Sequence, residues 1–120
     1  MRSKVVGKRP MLEILYRESR VARALGEPAK FAIISLLLKQ GAMSLSEIAK
    51  VIHRSNATTC YHLSKLKSLE IVRYETKANG VYYWIKYENE LKDIIKSLTK
   101  FVNRSLKGIY NETWFHSNIL

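Results

Sequence analysis

Six side chains crowd into one short stretch of this chain: Ser55, Asn56, Thr58, Tyr61, Ser64 and Lys65. The amide of Asn56, the hydroxyl of Thr58 and the phenol of Tyr61 can donate and accept at base edges, whereas Ser55, Ser64 and Lys65 suit phosphate oxygens. Arg54 lies just before them, and Arg73, Lys77 and Lys86 follow, cations that together predict a phosphate-binding stripe. Recognition chemistry of this kind needs no nucleophile, and none is set up. The chain has no P-loop, no GxSxG, no HExxH and no paired carboxylates in a Gly-rich setting, so no enzyme activity is expected.

The remaining reactive residues are few. The one cysteine, Cys60, excludes an intramolecular disulfide and leaves any zinc site without a thiolate cluster. Two readings of it stay open: a small, partly buried and inert residue, or a thiol beside a helix N-terminus and Lys67 whose oxidation blocks binding. His62 is expected at the edge of a buried face as a packed residue, and His53 at a surface turn. No metal and no cofactor are expected.

Charge supports a polyanionic partner. The 120 residues carry 21 Lys plus Arg against 10 Asp plus Glu, a formal net charge of +11, which creates an attractive field for nucleic acid or an anionic surface. No five like charges run together, so the charge belongs to folded elements rather than a basic tail. The chain is 47% hydrophobic with two prolines and five glycines, an ordinary globular composition. Its longest near-continuous apolar run, 31–38, is far short of the ~20 residues that span a bilayer. A charged segment with Glu13, Arg17 and Glu18, not an apolar one, follows the basic N-terminus, so a cytoplasmic location without membrane contact is expected.

The elements that must position these residues can be read in order. Residues 11–25 show helical spacing, with Leu12, Leu15, Ala22 and Leu25 apolar. Pro28 at a first helical position and Gly41 as a stop bound a second, mostly buried helix. Ser44 and Glu47 form a capping box opening a third helix, along which Leu45, Ile48, Ala49 and Ile52 make the buried stripe. His53, Arg54 and Ser55 break the pattern before a helix over 56–70 with Thr59, Leu63, Leu66 and Leu69 or Glu70 inward, which makes a helix-turn-helix. Turning about 100° per residue from Leu63 places Thr58, Tyr61, Ser64 and Lys65 on the outer side. The period then drops to two over 71–76 and 81–86, a β-hairpin turning through 77–80, with Asn79 and Gly80 supplying positive φ angles. A long amphipathic helix over 89–108 carries Leu91, Ile94, Ile95, Leu98, Phe101 and Val102. The aromatic stretch 109–120, around Trp114 and Phe115, has no clear period, and it fits equally a cover for a dimer, a ligand pocket or a docking segment.

This order predicts a mainly α fold with a small β-hairpin, a single winged helix-turn-helix domain with an additional helix at each end. In such a fold the helix over 56–70 enters the major groove and the 71–86 wing follows the backbone toward the minor groove. The 28–86 segment would be the DNA-binding core. The 11–25 and 89–108 helices, through Leu12, Leu15 and the six apolar residues above, would close an isologous C2 dimer.

Residues 25–86, about half the chain, resemble the ArsR/SmtB family of winged-helix repressors. LGEPAKFAIISLL is similar to the family's LGDPTRLRILxLL opening, LSEIAKVI to its first turn-motif helix, and SNATTCYHLSKLKSLEIV to its SQSxVSxHLxxLxxxGLV recognition segment. The resemblance implies a homodimeric repressor reading an inverted repeat, with contacts at Asn56, Thr58 and Tyr61 and a wing tip at 77–80. It also exposes departures. Where metal-sensing members carry a CVC pair this chain has Ser44 and Ser46, neither a soft-metal ligand. Where they place Asp and His on the C-terminal helix, it has Asp93 and no His before His116. The expected partners are double-stranded DNA and a second copy, with no obvious small-molecule ligand. The alternative is an architectural DNA-coating protein of low sequence preference, which the +11 charge favours.

Overall fold

A computed structural model of the chain describes residues 3–6 and 9–107. The 109–120 tail lies outside the described residues. By its internal contacts the chain divides into two units, 1–86 and 87–120.

The first unit opens with an antiparallel pair that the sequence reading did not foresee, β1 (Ser3–Val6) with β2 (Arg9–Leu12) in the register Ser3 to Leu12 and Val6 to Arg9. Leu12 therefore ends a strand, and α1 runs Glu13–Leu25 rather than from residue 11. Leu12 caps it without a side-chain hydrogen bond. Next is α2 (Pro28–Gln40), whose N-cap is Glu27: its carboxylate accepts from the backbone N–H groups of Ala29 at 3.2 Å and Lys30 at 2.8 Å. Gly41, with φ 80°, ends it as expected.

β3 (Met43–Ser44) is a second unforeseen strand. Ser44 leads directly into α3 (Leu45–Ile52), and both hydrogen bonds of its capping box with Glu47 are present, at 3.2 and 3.3 Å. His53 then takes a left-handed turn, φ 56°, and α4 (Asn56–Ser68) follows. This helix is two residues shorter than its apolar pattern predicts. Leu69 caps it, Glu70 turns left-handed at φ 63°, and Ile71 N–H reaches back to Leu66 O at 3.0 Å. That is a Schellman ending, which forces the chain out of the helix.

β4 (Val72–Lys77) and β5 (Gly80–Ile85) form the hairpin, and β3 adds to its far side in the order β3-β5-β4. The turn departs from expectation. Only Gly80 carries a positive φ, 135°, while Asn79 instead donates from Nδ2 to the Tyr82 hydroxyl at 2.9 Å.

The core gathers on α2, which touches α1, α3, α4 and β5. Ile33, Ile34, Leu37, Ile48, Leu63, Leu66 and Val72 are fully buried, each contributing about 1.5–3 kcal/mol of apolar transfer. Thr59 is buried with them. The second unit begins with α5 (Glu88–Lys107), on which Leu91 is buried and Ile95 half-buried, while Ile94, Leu98, Phe101 and Val102 are exposed.

Candidate nucleic-acid interface

Because Thr59, Leu63 and Leu66 bury one side of α4 completely, the rotation of the helix is fixed and the other side must face outward. Arg54, Ser55, Asn56, Thr58, Tyr61, Ser64 and Lys65 are all exposed there. Part of their hydrogen-bonding capacity is already used. Ser55 Oγ caps the helix, accepting from Thr58 N–H at 3.1 Å and donating to Thr58 Oγ1 at 3.1 Å. Ser64 Oγ donates to Tyr61 O at 2.8 Å, and Arg54 Nη1 to His53 O at 3.1 Å. Asn56 and Tyr61 keep their side-chain polar groups turned outward without a hydrogen bond among the described residues, although Lys65 Nζ sits 5.3 Å from the Tyr61 ring centroid.

On the hairpin, Arg73, Lys77 and Asn79 are exposed and Gly80 is half-buried. The pairing alternates faces. Val72 lies opposite Ile85 and Tyr74 opposite Tyr83 on one face, with Arg73 opposite Trp84 and Glu75 opposite Tyr82 on the other. Lys86 is half-buried and reaches Glu70 at 3.1 Å, so it serves the root of the wing and not its outer surface.

Two connections between α4 and the wing were not legible in the sequence. Lys67 lays its ammonium 4.4 Å from the Tyr74 ring centroid, and Tyr74 in turn packs against Tyr83 at 5.8 Å. Lys67, four residues after the buried Leu63, is thereby held exposed at the gap between α4 and the wing. Cys60 is the second. It is exposed, not partly buried, and its thiol neighbours the Tyr83 hydroxyl. Burial, then Cys60 and Tyr74, push the Tyr83 phenol above its ordinary value.

His62 anchors the other side of α4. It is half-buried as expected, with Nδ1 4.0 Å from Glu27 Oε2. Burial pushes the Glu27 carboxyl up, but the Lys30 and Ala29 backbone amides, the Lys30 ammonium and His62 outweigh it and hold it below 4.5. Ser44 and Ser46, the residues at the metal-site positions of the resembled family, are a helix cap and an exposed surface residue. Among the described residues no group of three or more His, Cys, Asp or Glu is placed to hold a metal ion, and no helix is long and apolar enough to cross a membrane.

Two helices joined by a three-residue turn, the second with an exposed polar face, backed by a β-sheet hairpin: this is a winged helix-turn-helix. Residues 27–74 match the family model described as "Bacterial regulatory protein, arsR family". The chain is 27% identical over 85 residues to the HTH-type transcriptional regulator MJ1325 of Methanocaldococcus jannaschii, covering 71% of this chain and 94% of that one. It is 29% identical over 86 residues to the transcriptional repressor SdpR of Bacillus subtilis, covering 72% and 93%. Among solved structures, the homodimeric winged helix-turn-helix DNA-binding domain of Mb0332 from Mycobacterium bovis matches with a TM-score of 0.65 and 24% identity, over 82% of this chain and 89% of that one.

Proposed function

We propose that the chain is a sequence-specific DNA-binding transcriptional repressor that works as a homodimer. The observation that carries this reading is the outer face of α4, where Asn56, Thr58, Tyr61, Ser64 and Lys65 stand exposed while Thr59, Leu63 and Leu66 are buried in the core. A helix free on that side can lie in a major groove with Asn56 and Tyr61 at base edges, while Arg54, Ser55 and Lys65 take phosphates and Arg73, Lys77 and Asn79 carry the wing along the backbone. Leu12 and Leu15 on the first unit are exposed apolar residues that a second copy would cover, and so, on the second unit, are Ile94, Leu98, Phe101 and Val102. Two recognition helices related by a two-fold axis read an inverted repeat with half-sites about 34 Å apart. The repressor activity named for SdpR and the homodimer named for Mb0332 support the same assignment.

The test is fluorescence anisotropy with the duplex upstream of the chain's own gene and a composition-matched scrambled duplex, each across a salt series. A regulator prefers its own site by about a thousandfold or more. The +11 charge favours a second reading, an architectural protein coating DNA with little preference. Coincident curves for the two duplexes at every salt concentration would establish that reading instead.

A further inference from the structure

Along α1, Glu13, Arg17, Arg20 and Ala24 follow one another at spacings of four, three and four, a single stripe along the helix. At Ala24 that stripe is buried in the core. Towards the N-terminus, where continued packing would call for apolar residues, it turns into a carboxylate and two guanidiniums. Together with Tyr16 and Val21, these face Ser68, Leu69 and Glu70 at the end of α4 across a cavity of about 380 Å³. Pockets that hold small molecules run from about 300 to 1,000 Å³. Leu15, at about 100° per residue, points nearly the opposite way, so a second copy seated on Leu15 would leave the cavity open.

The charges are not balanced. Arg17 Nη2 pairs with Glu13 Oε1 at 3.1 Å, and Glu70 Oε2 is taken by Lys86 at 3.1 Å. Each lining carboxylate thus already faces a cation. Arg20 has neither hydrogen bond nor ion pair among the described residues, and it is the cation left over in the lining. A planar guanidinium matches two oxygens of a carboxylate or phosphate at once. Tyr16 also lines the cavity, and its phenol can serve as a further donor.

We propose that this cavity is a binding site for a small oxyanion, a phosphate or a carboxylate, held by Arg20 with Arg17 and Tyr16 as secondary donors. The anion bridges the first helix to the C-terminal end of α4. Binding there is independent of whether α4 reads DNA.

Isothermal titration of the full chain without DNA tests this, at about 150 mM salt to screen general attraction. Inorganic phosphate is the probe in one series and acetate in the other, and the series that saturates identifies the chemistry. Arg20→Gln is compared with Arg23→Gln, an exposed arginine on the same helix that does not line the cavity. The expected result is saturable one-to-one binding in the parent and in Arg23→Gln, weakened about tenfold or more in Arg20→Gln. No saturation by either anion below about 10 mM overturns the site. Equal binding by the two variants overturns it as well, because the uptake would then come from the overall positive charge.

Discussion

Glu70 stands in the left-handed conformation at the end of α4, φ 63°, and its carboxylate accepts from Lys86 Nζ at 3.1 Å at the foot of the wing. The resembled family's recognition segment has glycine at this place, where a side chain costs nothing because none is present. Here a non-glycine residue is held in a strained region, at roughly 1 kcal/mol. The exposed ion pair returns only a few tenths of a kcal/mol. Glu70→Gly is therefore expected to raise the melting temperature by a few degrees, and Glu70→Val, β-branched at a positive φ, to lower it by more, both read by thermal circular dichroism.

Glu27 makes stability depend on pH. Its carboxyl is held below the ordinary 4.5, so the stabilisation it supplies is complete above that value and is lost as pH falls through the lower, folded-state value. Its side chain is 38% exposed, so solvent screening keeps the effect near the ordinary N-cap magnitude of about 1 kcal/mol. Urea denaturation of the parent and Glu27→Gln should differ by that amount near neutral pH, and the difference should shrink as pH falls below 4.5 and vanish once the folded-state carboxyl is protonated.

Lys67 is expected to act on phosphate without reading sequence. Lys67→Gln should weaken binding to the native and scrambled duplexes alike and reduce the salt slope by about one. Asn56→Ala should instead cost about 1–3 kcal/mol on the native duplex only. If the two variants change the two duplexes in the same way, the division of labour along α4 is wrong.

The apolar face of α5 predicts an association that charge should break. Phe101 is 70% exposed, more than any other large apolar residue described. Sedimentation of Phe101→Asp should show a monomer at micromolar concentration where the parent is a dimer, and its DNA affinity should fall because the half-sites are no longer read together.

Cys60 is exposed on α4, so a thiol reagent should label the folded protein at one equivalent without denaturant. The adduct projects from the helix that would enter the groove. Labelled protein should lose DNA affinity, and a Cys60→Ser variant should keep it after the same treatment. Binding that persists after labelling, or after peroxide, removes any redox role for this residue.

What was legible in the sequence was local. The capping box of Ser44 and Glu47 and the bounds Pro28 and Gly41 each lie within a few residues, and each is where the pattern places it, while the hairpin strands expected over 71–76 and 81–86 are each displaced by one residue, to Val72–Lys77 and Gly80–Ile85. The outer face of α4 was legible too, since burying Leu63 fixes the rotation of every other residue on that helix. What escaped depends on residues far apart. β3 is two residues long and exists only because Met43 and Ser44 meet Tyr83 and Tyr82. The place of Lys67 is set by Tyr74 across the helix-to-wing gap. Asn79 was read as a backbone device, yet its amide found the Tyr82 hydroxyl instead. Glu27 caps α2 just before the helix-starting proline, a role glutamate seldom takes, so its residue type carries no cap signal.

The order β3-β5-β4 has a consequence for how the protein behaves at high concentration. A free two-stranded hairpin offers two rows of unpaired backbone groups, each a template onto which a neighbouring chain can add a strand and begin to aggregate. Met43 and Ser44 shield part of one row along β5. The other row belongs to β4, where Arg73, Glu75 and Lys77 put a charge at every second residue. A second molecule adding there would have to bring charged side chains into register with its own strand, which keeps the wing available for its partner and poor as a seed for fibres.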